Sequence, residues 1–183
     1  MVKQVKYLGV TVGGYGRDIF RYERENWMIK ANRALGRLIK EIGKCYDRVT
    51  VGKALWKQVL MATMMFGKAV VTHPDADIKK IQSIEYRVYK YLIGVGGFVA
   101  VASLRSEIGS SKVITRLMET VILLAKDIWD GEFPKIKKYL ETEIEKGKGN
   151  WIRRANTYMQ TLNLSWTKIK EMTKIEIKAQ IRE

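Results

Sequence analysis

Asp75 and Asp77 stand two residues apart directly after Pro74, the spacing of an Asp-x-Asp pair that could hold a divalent cation. The same carboxylates lie where a helix begins, and there they serve to cap backbone N–H groups and to favour the positive end of the helix dipole. Capping is the expected use. His73 is the only histidine and Cys45 the only cysteine. That excludes a multi-histidine metal site or relay, a zinc site with two cysteines, and an intramolecular disulfide. Cys45 and His73 could pair as nucleophile and base, but nothing in the sequence brings them together. Gly13-Gly14-Tyr15-Gly16 lacks the G-x-G-x-x-G spacing and the acidic ribose partner of a dinucleotide site, so it reads as a turn. No set of general acid, base, nucleophile and metal ligands emerges. The sequence predicts no enzyme, with no catalytic residues, metal or cofactor.

What the residues do offer is anion binding. The 183 residues hold 34 Lys+Arg against 19 Asp+Glu, a formal net charge of +15. An excess of this size costs self-repulsion and points to a polyanionic partner, with nucleic acid first and an anionic membrane surface second. Part of it is organised. On a helix at about 100° per residue, Lys30, Arg33, Arg37, Lys40 and Lys44 form one stripe, roughly opposite Trp27, Ala31, Ala34, Leu38 and Ile42. Such a row can track successive phosphates; the alternative is a solvated outer face. Lys53 and Lys57 extend the candidate surface, and Arg87, Lys90, Arg105, Lys112 and Arg116 could join it. Trp27 and Trp56 fall on core faces and are expected to pack rather than to stack on bases.

The elements that must position this stripe are mainly helical. A strand over Val5–Val12 is expected to precede the glycine turn, with a return through Ile19 and Phe20. Helices come next over 21–44 and from an N-cap at Thr50 through Phe66, the second apolar nearly all round after Gln58 and expected to be surrounded by others. His73–Asp77 opens a helix with the core stripe Ile81, Ile84, Val88, Tyr91 and Leu92, which ends at Gly94-Val95-Gly96-Gly97. Further helices are expected through Leu104, over 112–129, over 134–146 with Pro134 in the first turn, over 151–162 and over 165–182. The last two are shorter on apolar residues and are expected to dock late or to fray. The expected fold is a mainly α bundle of about six to eight helices behind a short N-terminal β-strand or hairpin. It divides into the strand or hairpin (1–20), a helical core (21–147) and a C-terminal helical extension (148–183). Met1–Lys6 lacks the apolar stretch of a signal peptide, and the apolar window Val59–Val71 is too short to span a bilayer and contains Lys68. An intracellular protein, cytoplasmic or nuclear, with no membrane partner is therefore expected.

Several segments in order resemble the region downstream of the catalytic motifs in reverse transcriptases of the non-long-terminal-repeat retrotransposon type. Lys6-Tyr7-Leu8-Gly9-Val10 is similar to the family's primer-grip strand. The basic helix from Arg21 and the helix with Leu55-Trp56-Lys57 resemble the first thumb helices. Phe66-Gly67, the run from Ile78 to Gly94, and Ser103-Leu104-Arg105-Ser106-Glu107-Ile108-Gly109 resemble the family's next segments. The match covers about residues 5–130, each motif is short, and their order carries the likeness. The resemblance implies a thumb and C-terminal portion, an excised piece or a separate remnant, with Tyr7, Leu8 and Gly9 as primer-grip-like residues. Its implied partner is RNA, DNA or their hybrid. The paired metal-binding aspartates of the family's palm do not occur here, so polymerisation is not implied. An alternative function is a helical protein-interaction module, pairing with a second copy or with a missing palm through apolar surface.

Overall fold

The computed structural model describes residues 4–7, 10–13, 19–71, 74–147 and 149–182. The protein is mainly α-helical, with a short antiparallel hairpin at its N-terminus. Strands β1 (Gln4–Tyr7) and β2 (Val10–Gly13) pair in the register Val5↔Val12 and Tyr7↔Val10. The chain thus reverses before the glycines, and the single strand expected over Val5–Val12 is two. Cross-strand pairing satisfies the backbone groups that a lone strand leaves open. Ile19 and Phe20 form a turn instead of a return strand, although Gly13 N–H still donates to Ile19 O at 2.7 Å. Leu8, Gly9, Gly14-Tyr15-Gly16 and His73 lie outside the described residues.

The chain divides into two compact units, Met1–Gly67 with His73–Val113, and Lys68–Thr72 with Ile114–Glu183. In the first unit α1 (Arg21–Ile42) buries Trp27, Ala31, Leu35, Leu38 and Ile42. Leu35 replaces the expected Ala34, which is half-buried at the edge of that face. Each large apolar side chain buried here contributes about 2 kcal/mol. The next helix begins at α2 (Arg48–Leu55), capped by Asp47 and not by Thr50; the Asp47 carboxylate accepts from Thr50 N–H at 3.0 Å. It continues through a π-helical turn (Trp56–Leu60) into α3 (Met61–Met65). Trp56, Leu60, Met61 and Met64 are buried, whereas Val59 is 49% and Phe66 56% exposed. This helix is therefore covered on one side only, and it ends at Met65 because Phe66 turns to ψ 125° and Gly67 to φ 70°.

Helix α4 (Asp75–Ile93) buries Ile78, Ile81, Ile84, Val88, Tyr89 and Leu92. Tyr91, expected in that stripe, is half-buried and donates its hydroxyl to Ile39 O at 3.1 Å. The N-cap residue Pro74 makes no side-chain cap; Asp75 and Asp77 lie in the first turn, and Asp77 pairs with Arg24 at 3.2 Å and Lys80 at 3.6 Å. Those charges act on the dipole and the α1–α4 contact. After α5 (Val101–Ile108) the unit closes near Val113.

The second unit contains α6 (Val113–Asp130), α7 (Pro134–Lys146), α8 (Asn150–Thr161), α9 (Trp166–Glu171) and α10 (Lys174–Arg182). Pro134 occupies the first turn of α7 and Gly147, at φ 62°, ends it. The helix expected over 165–182 is two, broken where Met172 becomes extended. Thr173 and Glu176 form a reciprocal capping box that starts α10, with Thr173 N–H to Glu176 Oε2 at 2.6 Å and Glu176 N–H to Thr173 Oγ1 at 3.2 Å. Apolar residues of these helices are nonetheless buried: Ile169, Ile177 and Ile181 belong to one core cluster with Val121, Ala125 and Tyr158. Trp166 lies edge-on to Trp129 at 5.4 Å and donates to Asn156 Oδ1 at 2.7 Å. No helix among the described residues is long and apolar enough to cross a membrane.

Candidate nucleic-acid interface

The surface is built on α1. Its buried face fixes the helix against α4 and the α2–α3 segment, so the opposite side is presented as a rigid rail. Trp27 Nε1 donates to Met64 O at 2.9 Å, which satisfies a C-terminal carbonyl of α3 and locks the two helices together. Glu23, buried on the same face, accepts from Thr11 N–H at 2.7 Å and ties the hairpin to the rail.

Lys30, Arg33, Arg37 and Lys40 are all exposed on this rail. Among the described residues none of them has a carboxylate within ion-pair distance. Ten residues from Lys30 to Lys40 at helical rise span about 15 Å. Along one strand of a duplex that length holds about four phosphates. Lys44 differs from the other four: it lies past the end of α1 and pairs with Glu41 at 3.2 Å. Its charge is partly spent locally.

Beside the rail runs a groove of about 400 Å³, lined by Lys30, Arg33, Ala34, Arg37, Leu38 and Glu41 of α1 and by Leu55, Val59 and Thr63 across from it. Its floor is aliphatic and its rim cationic. The π-helical turn helps to set this wall. Met61 N–H reaches back five residues to Trp56 O, and the extra residue re-phases the helix so that Val59 stays on the open side. Lys53 is half-buried and Lys57 exposed, and neither lines the groove.

Of the wider cationic candidates, Arg105 is structural. Its Nη2 donates to Glu85 Oε2 at 2.6 Å, while Tyr89 donates its hydroxyl to Glu85 Oε1 at 2.9 Å. Glu85 and Tyr89 are wholly buried, and burial with the neighbouring carboxylate pushes the Tyr89 phenol well above its ordinary range. Lys90 is also engaged, donating to Gly97 O and lying 5.4 Å over the Tyr86 ring. Arg87 and Lys112 are exposed, and Arg116 is half-buried. Tyr7 pairs through its backbone with Val10, and Gly67 meets the hairpin there: a β-carbon on Gly67 would lie 2.9 Å from Val10 Cγ2. Cys45 is half-buried and its thiol donates to Glu41 O at 3.4 Å.

The groove wall from Leu55 to Thr63 was not signalled as a site by sequence, because aliphatic residues there fit a core equally well. Glu85 had a readable trace, an acid in phase with the α4 apolar stripe and four residues before Tyr89. The fold and surface together define a helical, basic module with one ordered cationic face. No family model, curated protein or solved structure matches the chain.

Proposed function

We propose that the protein is a nucleic-acid-binding module that grips the phosphate backbone of a duplex or RNA/DNA hybrid without reading bases and without catalysis. The observation that carries this reading is the row Lys30, Arg33, Arg37 and Lys40, exposed and free of carboxylate partners among the described residues. Its spacing suits consecutive phosphates, and the buried face of α1 holds it in place without a rearrangement cost. Lys44, Lys53 and Lys57 flank the row. The ordered resemblance to a reverse transcriptase thumb supports the same reading. Its test is affinity for duplex and hybrid probes over a range of salt. A steep decline with salt, equal for unrelated sequences, is expected; a flat response refutes it.

A second reading, a helical protein-interaction or self-association module, is favoured by one separate observation. Phe133, Ile136 and Tyr139 are exposed at about one-turn spacing along α7, at 58%, 50% and 66%. Light scattering tests it: a monomer at high concentration excludes self-association.

A further inference from the structure

In the first unit two aromatic side chains are fully exposed among the described residues: Tyr46 at 108% and Phe98 at 107%. Phe98 is held outward by its neighbours. Before it, Gly97 stands at φ 70° with its carbonyl accepting from Lys90 Nζ at 2.5 Å. After it, Val99 is gripped at both backbone groups by Tyr86, whose hydroxyl donates to Val99 O at 3.1 Å and accepts from Val99 N–H at 3.4 Å. Tyr46 stands between the last turn of α1, where Cys45 N–H donates to Ile42 O, and Asp47, which caps α2.

Both loops belong to one end of this unit. A β-carbon on Gly94 would lie 3.3 Å from Arg48 Nη2, and one on Gly43 would lie 2.9 Å from the Tyr91 hydroxyl. Lys44, Arg48, Lys53 and Lys90 supply cations here, against Glu41 and Asp47. Glu41 pairs with Lys44, and the Asp47 carboxylate accepts the Thr50 N–H and keeps its charge. The phosphate-tracking row runs along α1 to this same end.

An exposed ring fixed on a short loop, near Arg48 and Lys53, which form no ion pair among the described residues, suits a base better than a protein core. Every base offers a π-face, and cations hold the intervening phosphates. The geometry points to a subsite for unpaired nucleotides, in which Tyr46 and Phe98 stack on bases of a single-stranded extension and Arg48 holds its phosphates. This inference rests on the nucleic-acid reading above and names its substrate class, a duplex or hybrid with an unpaired overhang.

The test compares a blunt duplex, the same duplex with a short 5′ or 3′ extension, and the extension alone, by fluorescence anisotropy at low salt, where the blunt duplex is expected to bind. One of the extensions should tighten binding by at least about fivefold for each stacked base. The double variant Tyr46→Ala, Phe98→Ala should lose that gain and bind the blunt duplex as before, and Tyr46→Trp should retain it. Both side chains are fully exposed, so thermal unfolding should not move. No gain from either extension, or a gain that survives the double variant, overturns the subsite. If the extension binds through the two rings and the blunt duplex does not bind, the duplex reading falls and the subsite stands. If no probe binds, both fall. If the double variant abolishes self-association and leaves the overhang gain intact, the rings serve a protein contact and the subsite is overturned.

Discussion

Replacing Arg33, Arg37 and Lys40 together by glutamine leaves Lys30 as the last of the unpaired cations on the α1 rail. Each phosphate contact releases counterions and contributes about 0.9 to the slope of log K against log salt. Four contacts predict a slope of about −3.6 on DNA duplex, and the variant about −0.9. Between about 50 and 200 mM salt the native protein should therefore lose roughly 150-fold in affinity and the variant roughly fourfold. Taking the electrostatic contribution as negligible near 1 M, the three contacts are together worth about 170-fold at physiological salt, or ~3 kcal/mol of binding. Fluorescence anisotropy with a labelled duplex of about 20 base pairs measures both slopes. All three side chains are exposed, so the variant should unfold within about 0.5 kcal/mol of the parent. Parallel salt slopes for the two proteins would refute the reasoning, because the row would then be a solvated face.

Arg105→Met should destabilise the first unit by about 3 kcal/mol, since it strands the buried Glu85 carboxylate, and leave duplex affinity unchanged; chemical denaturation and anisotropy separate the two effects. Gly52→Ala places a β-carbon against Leu92 Cδ2 and 3.0 Å from Ile42 Cδ1 where α2 packs on α4, and should cost roughly 1–3 kcal/mol in the same denaturation assay. The Thr173 backbone N–H holds the Glu176 carboxyl below its ordinary 4.5, so its contribution is present above that value and lost as pH falls through the lower folded value. Glu176→Gln should flatten that part of the acid unfolding curve, read by circular dichroism. Lys174 is held above 10.5 by Asp127, so its contribution is complete below that value and disappears as pH rises through the higher folded value; Asp127→Asn should remove that alkaline dependence.

Much of this architecture is legible in local pattern. The helical period of Trp27, Ala31, Leu38 and Ile42 fixes which side of α1 faces inward, and so fixes where Lys30, Arg33, Arg37 and Lys40 must point. Pro134 and Gly147 bracket α7 because one lacks an N–H to bond and the other accepts a positive φ. Other features depended on contacts that no local pattern encodes. Val59 and Phe66 read as core by composition, yet both stay about half exposed. The apparent poverty of the C-terminal helices in apolar residues concealed that Ile169, Ile177 and Ile181 each find a packing partner. Arg105 reads as one more surface cation until the fold brings Glu85 against it, twenty residues away in sequence. Lys44 belongs to the stripe by periodicity, but the helix ends before it and Glu41 takes its charge. The sequence by itself determined a basic helical protein with one cationic face, because helical periodicity is a property of neighbours along the chain. Only the tertiary structure decided which cations stay unpaired, where a groove opens beside them and which aromatic rings are left bare, because each depends on what distant segments bring alongside.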